Sequence, residues 1–239
     1  MPEWRPQCSA VALPYLTFTR HDNPPDAAFG GWLMPVVPPM VSASTGALLV
    51  PHLPAGPLRD TVLWSCYAEL GLASICCVAV FTLIWSRLAQ HDEGPATMVP
   101  TLWIVLAPAG QSIAAACLLA EHATVGRPVL QVEAIVTGFA VAGFAVLWTA
   151  ISGLVTIRAV RTRLPFSLTW WSFTFPVGAC VVGFDTLAQQ SGSAAAAALA
   201  VVYFIGLVGA WGLVAVRTFH GSVVTGSLRS AIGVAPTDG

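Results

Sequence analysis

Residues 103–110 read WIVLAPAG, and residues 171–178 read WSFTFPVG. Both are W-x4-P-x-G, with their tryptophans 68 residues apart. A looser copy starts at Trp32, 71 residues before Trp103, with Pro38 one place late and no matching glycine. Self-similarity at a long period marks a repeated supersecondary unit. Each copy lies in an apolar stretch long enough to cross a bilayer, which takes about 20 residues. Proline removes a backbone hydrogen bond and kinks a helix, and glycine two residues on lets a neighbouring backbone come close. The pattern predicts three tandem helical hairpins, the first helix of each bent at Pro38, Pro108 or Pro176.

Working outward from these motifs, six apolar stretches cover 29–50, 61–84, 99–120, 132–155, 166–187 and 195–216. Of the 21 charged residues, only Glu69, Glu133 and Asp185 fall inside them. The chain is 56% hydrophobic and 9% charged, against roughly 25% charged in a soluble domain, so lipid is the solvent. The expected fold class is an all-α integral membrane protein with six transmembrane helices. Residues 1–28 form an N-terminal tail, 29–217 the membrane domain and 218–239 a C-terminal tail. A membrane barrel would show alternation in segments of about ten residues, and none is seen.

All ten basic residues are arginine. The absence of lysine excludes a Walker-type phosphate lysine and any lysine Schiff base, and a net charge of −1 gives no footprint for nucleic acid. Arg5, Arg20, Arg87, Arg158, Arg161, Arg163, Arg217 and Arg229 fall on one side of the membrane, and Arg59 and Arg127 on the other. Positive charge collects on the cytoplasmic side, so both termini are expected there, in a multi-pass protein of the plasma membrane. The start is no signal peptide, because proline, aspartate and arginine interrupt it. Its stretch 13–18 reads like the trailing end of a preceding helix. The cysteines form no CxxC pair and the histidines lie in loops or tails, so neither a metal nor a cofactor is expected.

Bent helices at matching depths predict a pore lined by the odd-numbered spans, with the even spans facing lipid. The residue before each proline is Val37, Ala107 and Phe175 in turn. If the three share one depth, Phe175 is the natural plug, since an apolar constriction gates by excluding water. The competing reading has it packed between helices. Anion-binding donors on these helices would come from Gln111, Ser112, Thr101, Thr169, Ser172 and Thr174, and from backbone freed near Pro108 and Pro176. Gln111 could equally bridge helices. Glu69 is the deepest carboxylate and a candidate proton relay, or a packing residue. Arg158, Arg161 and Arg163 could also concentrate anions at the cytoplasmic mouth.

Two long segments, 100–112 and 170–178, resemble the tellurite-resistance/dicarboxylate transporter family, which takes in bacterial tellurite-resistance proteins, malate permease, fungal sulfite-efflux proteins and the plant slow-type anion channels. Residues 32–39 with Ser42, Ala43 and Gly46 look like that family's fifth helix. The resemblance covers roughly residues 13–225. It implies ten helices in five hairpins around a pore, a homotrimer, and a phenylalanine in the ninth helix that occludes the pore, a position matched by Phe175. The kink motif carries Pro38, Pro108, Gly110, Gln111, Ser112, Thr174, Pro176 and Gly178 onto the pore wall. Six spans would then correspond to helices five through ten, so a fragment or a misassigned start is expected. Ala107-Pro108-Ala109 departs from the family's frequent Gly-Pro-Leu.

The function expected is transport of small anions or C4-dicarboxylates of malate, sulfite or tellurite type, with no enzymatic chemistry. The alternative is a truncated non-transporting fragment or assembly subunit. A membrane enzyme or redox subunit would need paired histidines or a carboxylate cluster within the spans, and the sequence has neither.

Overall fold

The computed structural model describes residues 15, 16, 19, 27–91, 94–162 and 164–224. Arg5, Cys8, Arg20, Arg163, Arg229 and most of both tails lie outside the described residues. The long helices are α1 (Val37–Leu49), α2 (Pro57–Gln90), α3 (Leu106–His122), α4 (Arg127–Arg161), α5 (Phe175–Ser191) and α6 (Ala194–Phe219), with no strand among the described residues. The all-α membrane fold class is therefore observed.

The helices are of two kinds. The inner ones, α1, α3 and α5, are each entered through a 3-10 segment: Gly30–Leu33, Ala96–Val105 and Leu168–Phe173. The prolines of the repeat fall in the first turn of the α-helix that follows: Pro38 second in α1, Pro108 third in α3, Pro176 second in α5. First-turn amides have no acceptor within their own α-helix, so proline there forfeits little. The break is thus a change of helix type, from three residues per turn to 3.6, rather than a bend inside one continuous α-helix.

The outer helices α2 and α4 run 34 and 35 residues without interruption. Their prolines, Pro57 and Pro128, sit in the first turn. At 1.5 Å per residue each spans about 50 Å, more than the roughly 30 Å hydrocarbon core. Leu72, Ile75, Val78, Val136, Leu154, Ile205 and Val208 on α2, α4 and α6 are all exposed. So large an apolar surface fits a lipid environment. Five helical stretches are long and apolar enough to cross a membrane. The first expected span, 29–50, is divided into a 3-10 turn, the 13-residue α1 and a second 3-10 turn at Val50–His52.

α3 is the hub. It packs against α1 on one side and α5 on the other. α2 lies in the groove between α1 and α3, α4 spans α3 and α5, and α6 covers α5. The result is an arc of three hairpins with short helices inside and long ones outside. Its closest seam is α3 against α5. A Cβ at Gly110 would collide with the Ala179 backbone, and one at Gly183 with the Gly110 carbonyl. Beside them the Cys180 thiol donates to the Leu106 carbonyl at 3.4 Å. Backbone-to-backbone contact of this kind maximises dispersion where lipid offers no hydrophobic drive between helices.

The 3-10 halves are tied together as well. Gly30 abuts the Thr101 carbonyl, and Thr169 Oγ1 donates to Thr97 O at 3.0 Å. Trp103 meets Phe173 edge-on, with ring centroids 5.5 Å apart, and donates to Thr156 Oγ1 at 3.0 Å. Arg87, read from the sequence as a loop charge, lies within α2 and is buried, its Nη1 donating to Ala28 O at 2.8 Å.

Candidate functional site

The helical positions of α3 divide its surface into sectors. Pro108, Ala109, Ser112, Ile113 and Ala116 face a cavity bounded by α2 and α4. Ala115 and Leu119 pack with Ala43, Ala47 and Leu63 in the α1/α2 cluster, and Gly110 meets α5. At 100° per residue, the remaining sector holds Ala107 and Ala114, while Leu118 packs against the α1/α2 cluster and shares with Glu121 a second pocket walled by the start of α4 and the end of α5. This sector faces the concave side of the arc, between α1 and α5, but Ala107 and Ala114 are fully buried and present no open surface there.

On α5 the seam with α3 runs through Ala179, Cys180 and Gly183. Phe184 turns to Tyr203 of α6, ring centroids 4.9 Å apart. Phe175, Val182, Asp185 and Gln189 are left on an open stripe. Phe175, the first residue of α5, is 53% exposed. Val37 and Ala107, which precede the other two prolines, are buried at 7% and 0%. Only the phenylalanine of this triplet therefore presents a side chain to open space. On α1 and the turn before it the open stripe is Met34, Pro38, Ser42, Thr45 and Leu48.

Polar groups along the arc are uncharged over most of its depth. Gln111 leans from α3 to α1, where the Ser44 hydroxyl lies 2.9 Å from its Oε1. That contact bridges α1 and α3 through the acceptor end of the amide. The other hydroxyls are spent locally. Ser112 donates to Ala109 O at 2.9 Å, Thr174 to Trp171 O at 2.7 Å, and Thr101 to Met98 O at 2.6 Å. Thr169 joins the two 3-10 segments, and Ser172 is half-buried beside it. Near the far end of α5, Gln189 Nε2 donates to Asp185 Oδ2 at 2.7 Å, which tempers the one carboxylate on that stripe.

The sequence-derived candidates thus separate into groups. Phe175 and Pro38 lie on open stripes, and Gln111 is at the α1/α3 joint. Pro108 and Ser112 face the cavity behind α3, Gly110 is sealed in the α3/α5 seam, and Pro176 and Thr174 are buried. Gly178 looks toward α6, where a Cβ would lie 3.6 Å from Leu207 Cδ2. Glu69 is half-buried on the outer helix α2. Sequence reading missed Ser44, because three nearby hydroxyls at 42, 44 and 45 give no phase until the start of α1 is known. Among the described residues no cluster of three His, Cys, Asp or Glu could hold a metal.

Comparison with known proteins adds to this geometry. Residues 7–219 match the model of the SLAC1 family, described as voltage-dependent anion channel. An uncharacterised transporter of Methanocaldococcus jannaschii is 27% identical over 176 residues, covering 72% of this chain and 49% of the relative. A sulfite efflux pump of Arthroderma otae is 23% identical over 223 residues, covering 88% of this chain and 58% of the pump. A sulfite efflux pump of Trichophyton rubrum is 26% identical over 193 residues, covering 75% and 49%. The chain spans about half the length of the curated relatives it matches. No solved structure matches it.

Proposed function

The chain belongs to the voltage-dependent anion channel family, a family of channels and transporters rather than enzymes, and from that membership we propose that its arc is the wall of an anion pathway gated by Phe175. The observation that carries the reading is the exposed phenyl ring at the point where 3-10 helix becomes α-helix. Around it the wall is small and uncharged. Its exposed polar groups are the Ser42 and Thr45 hydroxyls of α1, with the Gln111 amide at the α1/α3 joint. Such a wall binds an anion weakly enough to release it, and a phenyl ring in the path raises a dewetting barrier. The arc leaves α1 and α5 each with an open stripe. Further hairpins would complete the ring, and a homotrimer of such rings is the assembly.

The cargo is a small anion or a C4-dicarboxylate. The fungal relatives are sulfite efflux pumps, which makes sulfite the first anion to assay, with malate and tellurite after it. The arginine distribution supports cytoplasmic termini in the plasma membrane. Glu69 is the position for a proton relay if transport is coupled. In liposomes containing the chain, alone and together with the hairpins that complete the ring, anion efflux is expected to rise on Phe175→Ala. Measurable flux that Phe175→Ala leaves unchanged would remove the gate. Flux absent in both preparations would favour the non-transporting assembly subunit.

A further inference from the structure

A cavity of about 620 Å³ lies outside the arc, on the side of α3 away from the concave wall. Its sides are α2 from Tyr67 to Phe81 and α4 from Leu130 to Phe144, and α3 is its floor. Each side runs 14 residue steps, about 21 Å at the helical rise. A groove of that length, apolar along its walls, suits one extended hydrocarbon chain.

The two ends differ. At one end Phe81 meets Phe144 edge-on, centroids 5.0 Å apart, and Trp148 at 5.1 Å, closing the groove with aromatic rings. At the other end stand Tyr67 and Glu133, on the membrane side of Arg59 and Arg127. The Tyr67 hydroxyl is buried and has no hydrogen-bond partner among the described residues. A hydroxyl without an acceptor is costly at membrane depth, so an acceptor from the occupant would relieve it. The Glu133 side chain is exposed at the same end and asks for a donor.

We propose that this groove is a binding site for one acyl chain of a glycerolipid, entering from the leaflet nearer Arg59 and Arg127, with its ester carbonyl on the Tyr67 hydroxyl and a hydroxyl or ammonium of its headgroup at Glu133. The chain fills the space between the two outer helices and stops at the Phe81/Phe144 pair. Bound there, it presses on the face of α3 that carries Pro108 and Ser112, directly behind the proposed pore wall.

Gly71 lines the groove, and a Cβ there would have open space around it, so Gly71→Leu plugs the groove without a backbone clash. Gly143 is equally open on α4 but outside the groove, so Gly143→Leu is the control. The full chain in nanodiscs carrying a diazirine-acyl phosphatidylethanolamine would be photolysed and mapped by mass spectrometry. The expected result is labelling concentrated on groove residues of α2, α3 and α4, reduced at least fivefold by Gly71→Leu and unchanged by Gly143→Leu. Tyr67→Phe should lower groove labelling about two- to tenfold, the worth of one hydrogen bond. Labelling spread evenly over all lipid-facing helices and indifferent to Gly71→Leu would overturn the proposal. So would dissociation of an oligomer by Gly71→Leu with no change in labelling, since a neighbouring copy's side chains would then be the occupant.

Discussion

The motif at 103–110 and the motif at 171–178 share tryptophan, proline and glycine at the same offsets, yet they live in different surroundings. Trp103 is half-buried and hydrogen-bonded to Thr156, while Trp171 is exposed. Gly110 is pressed against the Ala179 backbone, while Gly178 has only the Leu207 methyls near it. The residue before the proline is a fully buried alanine in the first copy and an exposed phenylalanine in the second. What is common to the two is local: both tryptophans sit in 3-10 helix, and both prolines sit in the first α turn. What differs is the neighbour. The copy at the centre of the arc is enclosed by α1, α2, α4 and α5, and the copy at its edge has one side open.

Exchanging residues between the copies tests this contrast. The largest effect is expected for Ala107→Phe, which gives the central copy the residue of the edge copy. With no space around Ala107, the loss should exceed about 3 kcal/mol, beyond the usual range for overpacking. Thermal unfolding in detergent would measure it. Gly110→Ala comes next, at about 2–3 kcal/mol, because the added methyl meets backbone that cannot rotate away. Trp103→Phe should cost about 1 kcal/mol through its lost hydrogen bond to Thr156, while Trp171→Phe stays within about 0.5 kcal/mol. Gly178→Ala should reverse the sign: ordinary contact with Leu207 leaves the outcome between neutral and about 1 kcal/mol stabilising, from helix propensity. Equal losses for Gly110→Ala and Gly178→Ala would show that the two copies are equally enclosed, and the picture of centre and edge would fail.

Much of the architecture was legible because it rests on solvent and periodicity. The boundaries of α2, α4 and α6 extend the expected spans by a few residues at their ends, since a continuous apolar run in lipid must satisfy its backbone within one helix. The 29–50 stretch is the exception. Its length suggested a spanning helix, but Pro35, Pro38, Pro39 and Pro51 bracket an α segment of 13 residues between 3-10 turns. The candidate site was less legible. Pro108, Gly110, Gln111 and Ser112 are neighbours in the chain and were read together. On a helix they point in three directions: Pro108 and Ser112 into the rear cavity, Gly110 into the α5 seam and Gln111 toward Ser44. Arg87 shows the same limit, since its charge marked a membrane side while the carbonyl of Ala28 that holds it is 59 residues away in the chain.

The sequence by itself therefore determined the solvent, the helical class, the hairpin repeat and the prolines at which the inner helices break, though it read each break as a bend. Each follows from residues within a turn or two of one another. Only the tertiary structure decided that Ala107 is sealed while Phe175 is exposed, that α3 and α5 meet backbone to backbone, and that a groove lies behind the wall. Those outcomes depend on which surfaces of six helices come together, and the same motif reads differently once one copy has neighbours on every side and the other does not.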